Sequence, residues 1–424
     1  MSARSWPFLL RPSDEPSPGD WATSAKGTRV RFADGLEAFC ATSGLWNVSL
    51  GYGRDEIADA VSEALRDASY LTLFRRSHPL AEEAAERVIS FTGMPFSRVL
   101  HATSGGAAND LVMKLSRQYW SIEEGMPRRL VVGLRGSYHG LTYGAHALSG
   151  DELGQAVYGV DGRDVRHVPF DDGGAALEAL CRREGNRIAA LVVEPVLGSG
   201  AIEVPADFLD AVQRLRAQYG FLLVADEVAT GFGRTGVRFA SSRWMPHPDA
   251  LVLSKALTNG ACAASVVVVG ERIATAFDRH DALLVHGETQ AGTPSSCAAI
   301  IATLDLYEQL DVDRLFPEVI AQIDRLEERL VGHPRVIGVA GRGAFRALRI
   351  AGRTSASTEP VGAEPAGASK EEIVELVERI RRAGAIVHPG PSVLQLIPAA
   401  ISDSADLDRL GDVLCDVLDE QDAA

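Results

Sequence analysis

Basic residues, paired cysteines and long apolar runs are all scarce in this 424-residue chain. Lysine and arginine total 42 against 57 acidic residues, a formal charge of −15. Such a balance repels phosphate backbones and anionic lipid surfaces, so neither nucleic acid nor membrane is an expected partner. The five cysteines, Cys40, Cys181, Cys262, Cys297 and Cys415, are scattered, odd in number and without metal-ligand spacing. They argue against a disulfide framework or a metal site and for buried small residues in a reducing cytoplasm. No stretch approaches the roughly 18 uninterrupted apolar residues of a membrane span; runs such as Ser265 to Gly270 are strand-sized. The proline-interrupted opening, Met1 to Leu10, has no clear cleavage site, and no secretory signal is expected. A Gly-x-Gly-x-x-Gly turn after an early strand is missing, which disfavours a nucleotide-binding dehydrogenase. No internal repeat or heptad run occurs.

What is present is 46% apolar and 23% charged residues, enough for a large domain plus a smaller one. The informative stretch is Leu222 to Leu257. Leu222–Ala225 is a short apolar run closed by Asp226 and Glu227, and Ala250–Leu253 is a second, closed by Ser254 and Lys255. Runs of this kind read as strands buried on both faces, and ligands of open α/β sheets sit beyond the carboxyl ends of such strands. An acid and a lysine 29 residues apart are, taken alone, equally a plain ion pair. The glycine-rich loop Thr230–Gly236 between them asks for close approach of some group to the backbone. A lysine amine with a buried carboxylate is the pair needed for Schiff-base catalysis with pyridoxal 5'-phosphate.

Other segments alternate strand and helix from about 99 to 270, the pattern of a mostly parallel sheet. Val99–Thr103 leads through Ser104, Gly105 and Gly106 into a helical stripe of Leu111, Val112, Leu115 and Tyr119. Strand, small-residue loop and helix start together make an anion site, because free amides and the helix dipole point one way. Residues 1 to 30 read as an extended arm, Arg29–Phe39 as a hairpin through Asp34-Gly35, and Ala385–His388 as one strand. Residues 351 to 369, without periodicity, read as a surface loop.

The run Asp226-Glu227-Val228-Ala229-Thr230-Gly231-Phe232-Gly233-Arg234-Thr235-Gly236, followed by Leu253-Ser254-Lys255-Ala256-Leu257, resembles the signature of class III pyridoxal-phosphate aminotransferases. The resemblance implies an α/β protein of fold type I. It would have a mostly parallel seven-stranded sheet in a large domain (51–310) and a smaller α+β domain (1–50 and 311–424). It implies Lys255 and Asp226 as catalytic residues. The phosphate would lie at Ser104, Gly105 and Gly106, although Gly106 and Ala107 stand where the family has serine and glutamate. Tyr138 and Val228 would cover the two faces of the cofactor ring, with His139 and Glu194 beside it. Thr289 would reach the cofactor of a neighbouring subunit, which makes a homodimer. Trp46, in Gly44-Leu45-Trp46-Asn47, is similar to the residue lining the substrate entrance of ω-amine:pyruvate transaminases.

Two departures bear on substrate. Ala229 stands where the family often has glutamine. Gln395 stands where many members have an arginine that grips a substrate carboxylate. A neutral amide forms no bidentate ion pair with a carboxylate. The expected reaction moves an amino group between an amine or amino acid donor and an aldehyde or ketone acceptor, such as a small amine and a keto acid, at least one of the two lacking a carboxylate near the reacting carbon. The same neutral position suits a carbonyl at the end of a ribosomally made peptide, as in related daptide enzymes, and an aminomutase is a further use of the same cofactor.

Overall fold

The computed structural model describes residues 4–125, 128–353 and 366–420. At its centre is a seven-stranded sheet. From one edge to the other the strands are Phe96–Ala102, Ser265–Gly270, Ala250–Leu253, Leu222–Asp226, Ile188–Val193, Leu130–Leu134 and Val165–Val168. Ser265–Gly270 runs antiparallel to both neighbours and every other pairing is parallel. The mostly parallel seven-stranded sheet expected from the sequence is present.

The strands are apolar because both faces are covered. Leu223, Ala225, Leu251, Leu253, Leu191 and Val193 enter one core cluster, while the intervening Leu222, Val224, Ala250, Val252, Ala190 and Val192 enter another. Alternation therefore sends successive side chains to opposite faces, and neither face leaves room for polar residues. The first cluster takes Phe208, Val212 and Leu215 from the helix Ala206–Tyr219. The second takes Leu111, Leu115 and Tyr119 from the helix Gly105–Glu124.

Around this sheet lie two smaller four-stranded sheets. One joins Ala22–Lys26, Arg29–Phe32 and Glu37–Cys40 to Ala385–Ile386. The other orders Val336–Arg342, Phe345–Ile350, Val393–Leu396 and His388–Gly390, all antiparallel. Two sequence expectations are corrected. The arm over residues 1–30 does form turns at Pro12–Asp14 and Pro18–Asp20, but Ala22–Lys26 is a paired strand rather than free chain. The strand expected over Ala385–His388 is two: Ala385–Ile386 pairs with Phe39 and Cys40, whereas His388–Gly390 pairs with Val393–Gln395. Pro389 has no amide to donate and sits on the edge of its sheet, where none is needed. Of the loop expected over 351–369, residues 354–365 lie outside the described residues; Ala351 and Gly367 on either side form an isolated bridge.

Five parallel strands end along one edge of the sheet. Their last residues hand over to Ser104, to Tyr138 and His139, to Glu194, to Asp226 and to Lys255. Topology alone thus gathers residues more than 150 positions apart.

Phe208 is fully buried on the helix Ala206–Tyr219. Phe208→Ala is expected to lower unfolding free energy by about 3–5 kcal/mol, measured by denaturant titration of the apo chain.

Candidate active site

Asp226 closes its strand with almost no exposure and is held by three donors. Its Oδ2 accepts from Asn109 Nδ2 at 2.8 Å and lies 2.7 Å from His139 Nδ1, and its Oδ1 accepts from the Val228 amide at 3.1 Å. Asn109 is oriented by its surroundings: its Nδ2 also faces the carbonyls of Gly105 and His139, both at 3.1 Å. With acceptors on every side, that end of the side chain must be the amino group. Burial pushes the His139 imidazole down, but the hydrogen bond and charge of Asp226 outweigh it and leave the ring above its ordinary value.

Glu194 is buried beside this cluster. It accepts from the Tyr138 amide at 2.8 Å and the Gly198 amide at 3.0 Å, and burial pushes it up to about 7. It therefore fixes the loop that presents Tyr138, whose ring is more than a third exposed.

Lys255 begins a short turn, Lys255–Thr258, with a left-handed φ of 48°. Its Nζ lies 4.3 Å from the centre of the Trp46 ring. Burial loosens its proton, bringing the group down to about 8 against the pull of Asp226 and Glu194. A lysine so shifted supplies far more neutral amine near neutral pH than an exposed one.

Trp46 comes from an unusual segment. Ser43, Gly44, Leu45 and Trp46 have φ of 47°, 57°, 56° and 67°, one turn of left-handed helix, closed by Trp46 N to Thr42 O at 2.8 Å and Val48 N to Ser43 O at 2.9 Å. Three of these residues carry a Cβ, and the left-handed conformation costs such residues roughly 1–2 kcal/mol each. The turn is held from outside: Ser43 Oγ donates to the Ile397 carbonyl at 2.6 Å, and Arg234 reaches the Trp46 carbonyl at 2.6 Å. The indole packs on Phe345 and edge-on to His388, ring centres 5.4 and 5.7 Å away.

At the opposite wall, the helix Gly105–Glu124 starts at the end of its strand. Ser104 spends its hydroxyl as the helix cap, accepting from the Ala107 amide at 3.2 Å. The amides of Gly105 and Gly106 have no partner among the described residues and point where the helix dipole favours an anion. A Cβ on Gly105 would come within 3.2 Å of the Val228 methyls, so this loop and Val228 are in contact.

Of the residues singled out in the sequence, Ser104, Gly105, Gly106, Tyr138, His139, Glu194, Asp226, Val228 and Lys255 come together along this edge. Trp46 and Gln395 form its far wall. Gln395 is buried, with Nε2 donating to the Gly198 carbonyl at 2.7 Å. That carbonyl can only accept, so the opposite atom, Oε1, is the acceptor, and it has no partner among the described residues. Thr289 is exposed, its carbonyl held by the Tyr70 hydroxyl at 3.0 Å. Arg75 and Arg76 are exposed. Sequence reasoning missed Asn109, Arg234 and His388. Asn109 had a usable signal, its place one helical turn after Gly105; the others reach the site only through tertiary packing.

These residues fit a flat, anionic group linked to a lysine: free amides for the anion, Tyr138 and Val228 for the faces, and Asp226 for a protonated ring nitrogen. Fold and cluster together define an α/β enzyme of the lysine–carboxylate kind. Comparison with known proteins makes the assignment narrower. The family Aminotransferase class-III matches residues 14–418, and the chain belongs to it. It is an aminotransferase, of a family that depends on pyridoxal phosphate. The ω-amino acid–pyruvate aminotransferase of Pseudomonas putida is 29% identical over 95% of this chain and 90% of its own length. A putrescine–pyruvate aminotransferase of Pseudomonas aeruginosa is 29% identical over 77% of this chain and 76% of its own. The crystal structure of the ω-transaminase from Pseudomonas jessenii in complex with PMP superimposes with a TM-score of 0.87 at 25% identity, covering 95% of this chain and 92% of that one.

The lysine shift carries a sign that can be checked. A folded-state value of about 8, against an ordinary 10.5, means that the folded chain binds fewer protons than the unfolded chain between those pH values. The stability of the apo chain should therefore rise with pH across that window. Lys255→Met should be the more stable of the two below pH 8, with the gap in Tm closing towards 10.5. A gap independent of pH would contradict the assignment.

Proposed function

We propose that this aminotransferase binds pyridoxal 5'-phosphate on Lys255 and moves an amino group from a small amine to a keto acid, at least one of its substrates lacking a carboxylate near the reacting carbon. The observation that carries the reading is the shared strand edge, where a buried carboxylate with three donors and a lysine amine of lowered proton affinity sit in one cluster. When bound, the cofactor supplies an aldehyde to join to an amine and a ring that accepts an electron pair. Lys255 provides the joining amine and, once displaced by substrate, takes and returns the proton at the reacting carbon. Asp226, fixed by His139 and Asn109, would hold the proton of the cofactor's ring nitrogen. Gly105 and Gly106 would hold the phosphate by their amides, and Tyr138 and Val228 would exclude water from the ring.

Gln395 supports the restriction on substrate. Its free atom is a neutral acceptor, which offers a carboxylate nothing to pair with. Relatives that act on putrescine and on ω-amino acids are consistent with a donor amine remote from any carboxylate. A peptide carbonyl is the other acceptor worth including in the test.

We further propose a homodimer in a reducing cytoplasm, with a large domain over 51–310 and a smaller one over 1–50 and 311–424. Thr289 is exposed, Tyr70 bonds its carbonyl, Phe74 lies against Gly287 two residues before it, and Leu71, Leu283 and Val285 are exposed in the same two segments of chain, apolar surface suited to a second copy. All five cysteines are free thiols.

Borohydride reduction of the loaded enzyme followed by peptide mapping should place the pyridoxyl label on Lys255; a label elsewhere, or none, rejects the reading. Asp226→Asn should lower turnover by about 10²–10³-fold while leaving that label in place. In a panel of amines with pyruvate, α-ketoglutarate and a peptide aldehyde, amines without a carboxylate should turn over with the keto acids. Turnover confined to α-amino acid donors paired with the keto acids would refute the restriction on substrate.

A further inference from the structure

Among the described residues Arg234 is the largest fully buried side chain, and no carboxylate there pairs with it. Its guanidinium donates to the Ala229 carbonyl at 3.1 Å, the Trp46 carbonyl at 2.6 Å and the Ser49 hydroxyl, with the Tyr307 side chain near it and its Nε without a partner among the described residues. Burial pushes it down to about 10, so the folded state bears a cost for this cation that no ion pair offsets. A buried apolar side chain would fill the volume without that cost. What only the planar fork supplies is simultaneous reach to two separate segments.

One of those segments is the left-handed turn. Its residues would relax to the right-handed region if nothing opposed them, and the indole would leave Lys255. Ser43 ties one end of the turn to Ile397, while Arg234 ties the other end to the glycine-rich loop through Trp46 and Ser49. The backbone of Arg234 is fixed in turn, its carbonyl accepting from the Ala344 amide at 2.7 Å.

We propose that Arg234 is a positioning residue of the amine site: its guanidinium latches the Trp46 carbonyl and the Ser49 hydroxyl, holding the Ser43–Trp46 turn left-handed so that the indole lies over the Lys255 amine. The indole is then a wall that shields the amine and limits the bulk of the substrate group beside it. Arg234 acts on selectivity through Trp46 and touches no substrate. The inference rests on Lys255 being the reactive amine proposed above.

Two measurements on the apo chain test it without turnover. First, the rate at which a small acylating reagent labels Lys255, relative to the exposed Lys370, is read by mass spectrometry. It should rise several-fold in Arg234→Lys and in Trp46→Ala, and rise no further in the double variant, because both remove the same cover. Equal rises at Lys255 and Lys370, or additive rises in the double variant, would overturn the latch. Second, Leu45→Gly should raise Tm, since Leu45 is half exposed and left-handed, so glycine relieves strain with little loss of packing. A lowered Tm would mean the turn is not left-handed in solution. Should Arg234→Lys fail to fold, Ser49→Ala removes one arm of the latch and should raise Lys255 labelling in the same direction; unchanged labelling there would overturn the proposal.

With loaded enzyme, Arg234→Lys should raise the ratio of kcat/KM for a bulky over a small amine, and have no effect on that ratio in the Trp46→Ala background. A uniform loss for both amines would show Arg234 to be structural only. If wild type transfers no amine at all while the labelling results hold, the proposed function falls and the latch stands.

Discussion

The site depends on one buried carboxylate. Asp226 lies at the end of a strand covered on both faces, where water cannot solvate it, so the protein must satisfy it internally. His139, Asn109 and the Val228 amide do so, and each donor belongs to a different part of the fold: the loop after Leu130–Leu134, a position one turn into Gly105–Glu124, and the chain just beyond Asp226 itself. Fixing the carboxylate therefore fixes the helix start, and with it the amides of Gly105 and Gly106. It also fixes the loop that carries Tyr138. Glu194 repeats the device one strand away, bonding the Tyr138 and Gly198 amides.

Against this rigid half stands a strained one. Left-handed residues cluster at the site: the Ser43–Trp46 turn, Phe232 in the glycine-rich loop, and Lys255 and Asn259 on either side of the lysine turn. Such conformations persist only where surrounding contacts over-determine them. Here the contacts are visible. Asn259 accepts from the Leu50 amide and donates to the Gly51 carbonyl, both at 2.9 Å, binding the lysine turn to the same N-terminal segment that carries Trp46. The Ala400 amide meets the Ser49 carbonyl at 2.8 Å and the Ile397 amide meets the Ala41 carbonyl at 2.6 Å. Chain from both ends of the sequence thus closes over a strand edge built from its middle.

Much of this was legible before the fold was in hand. Strands buried on both faces read as plain apolar runs, and the acid and lysine closing two of them could be seen to share an edge once the sheet was parallel. The strand, loop and helix order around Ser104–Gly106 is local, so periodicity sufficed to place that helix start. Other features were not local. Ala385–His388 reads as one strand, yet its two halves serve different sheets, because pairing is decided by distant partners such as Phe39 and Val393. Arg234 looked like one polar residue in a flexible loop; its full burial, and its reach to Trp46 across 188 positions, depend on tertiary packing alone. A left-handed turn at Ser43–Trp46 has no sequence signal beyond Gly44, since its other three residues ordinarily avoid that region.

The central claim is that the carboxylate of Asp226 governs the protonation of the cofactor ring. It is tested most directly by ¹⁵N NMR of enzyme loaded with ring-labelled pyridoxal phosphate. The account predicts a protonated ring nitrogen in the wild type across the neutral pH range and an unprotonated one in Asp226→Asn under the same conditions. An unprotonated nitrogen in the wild type, or the same shift in both proteins, would contradict it.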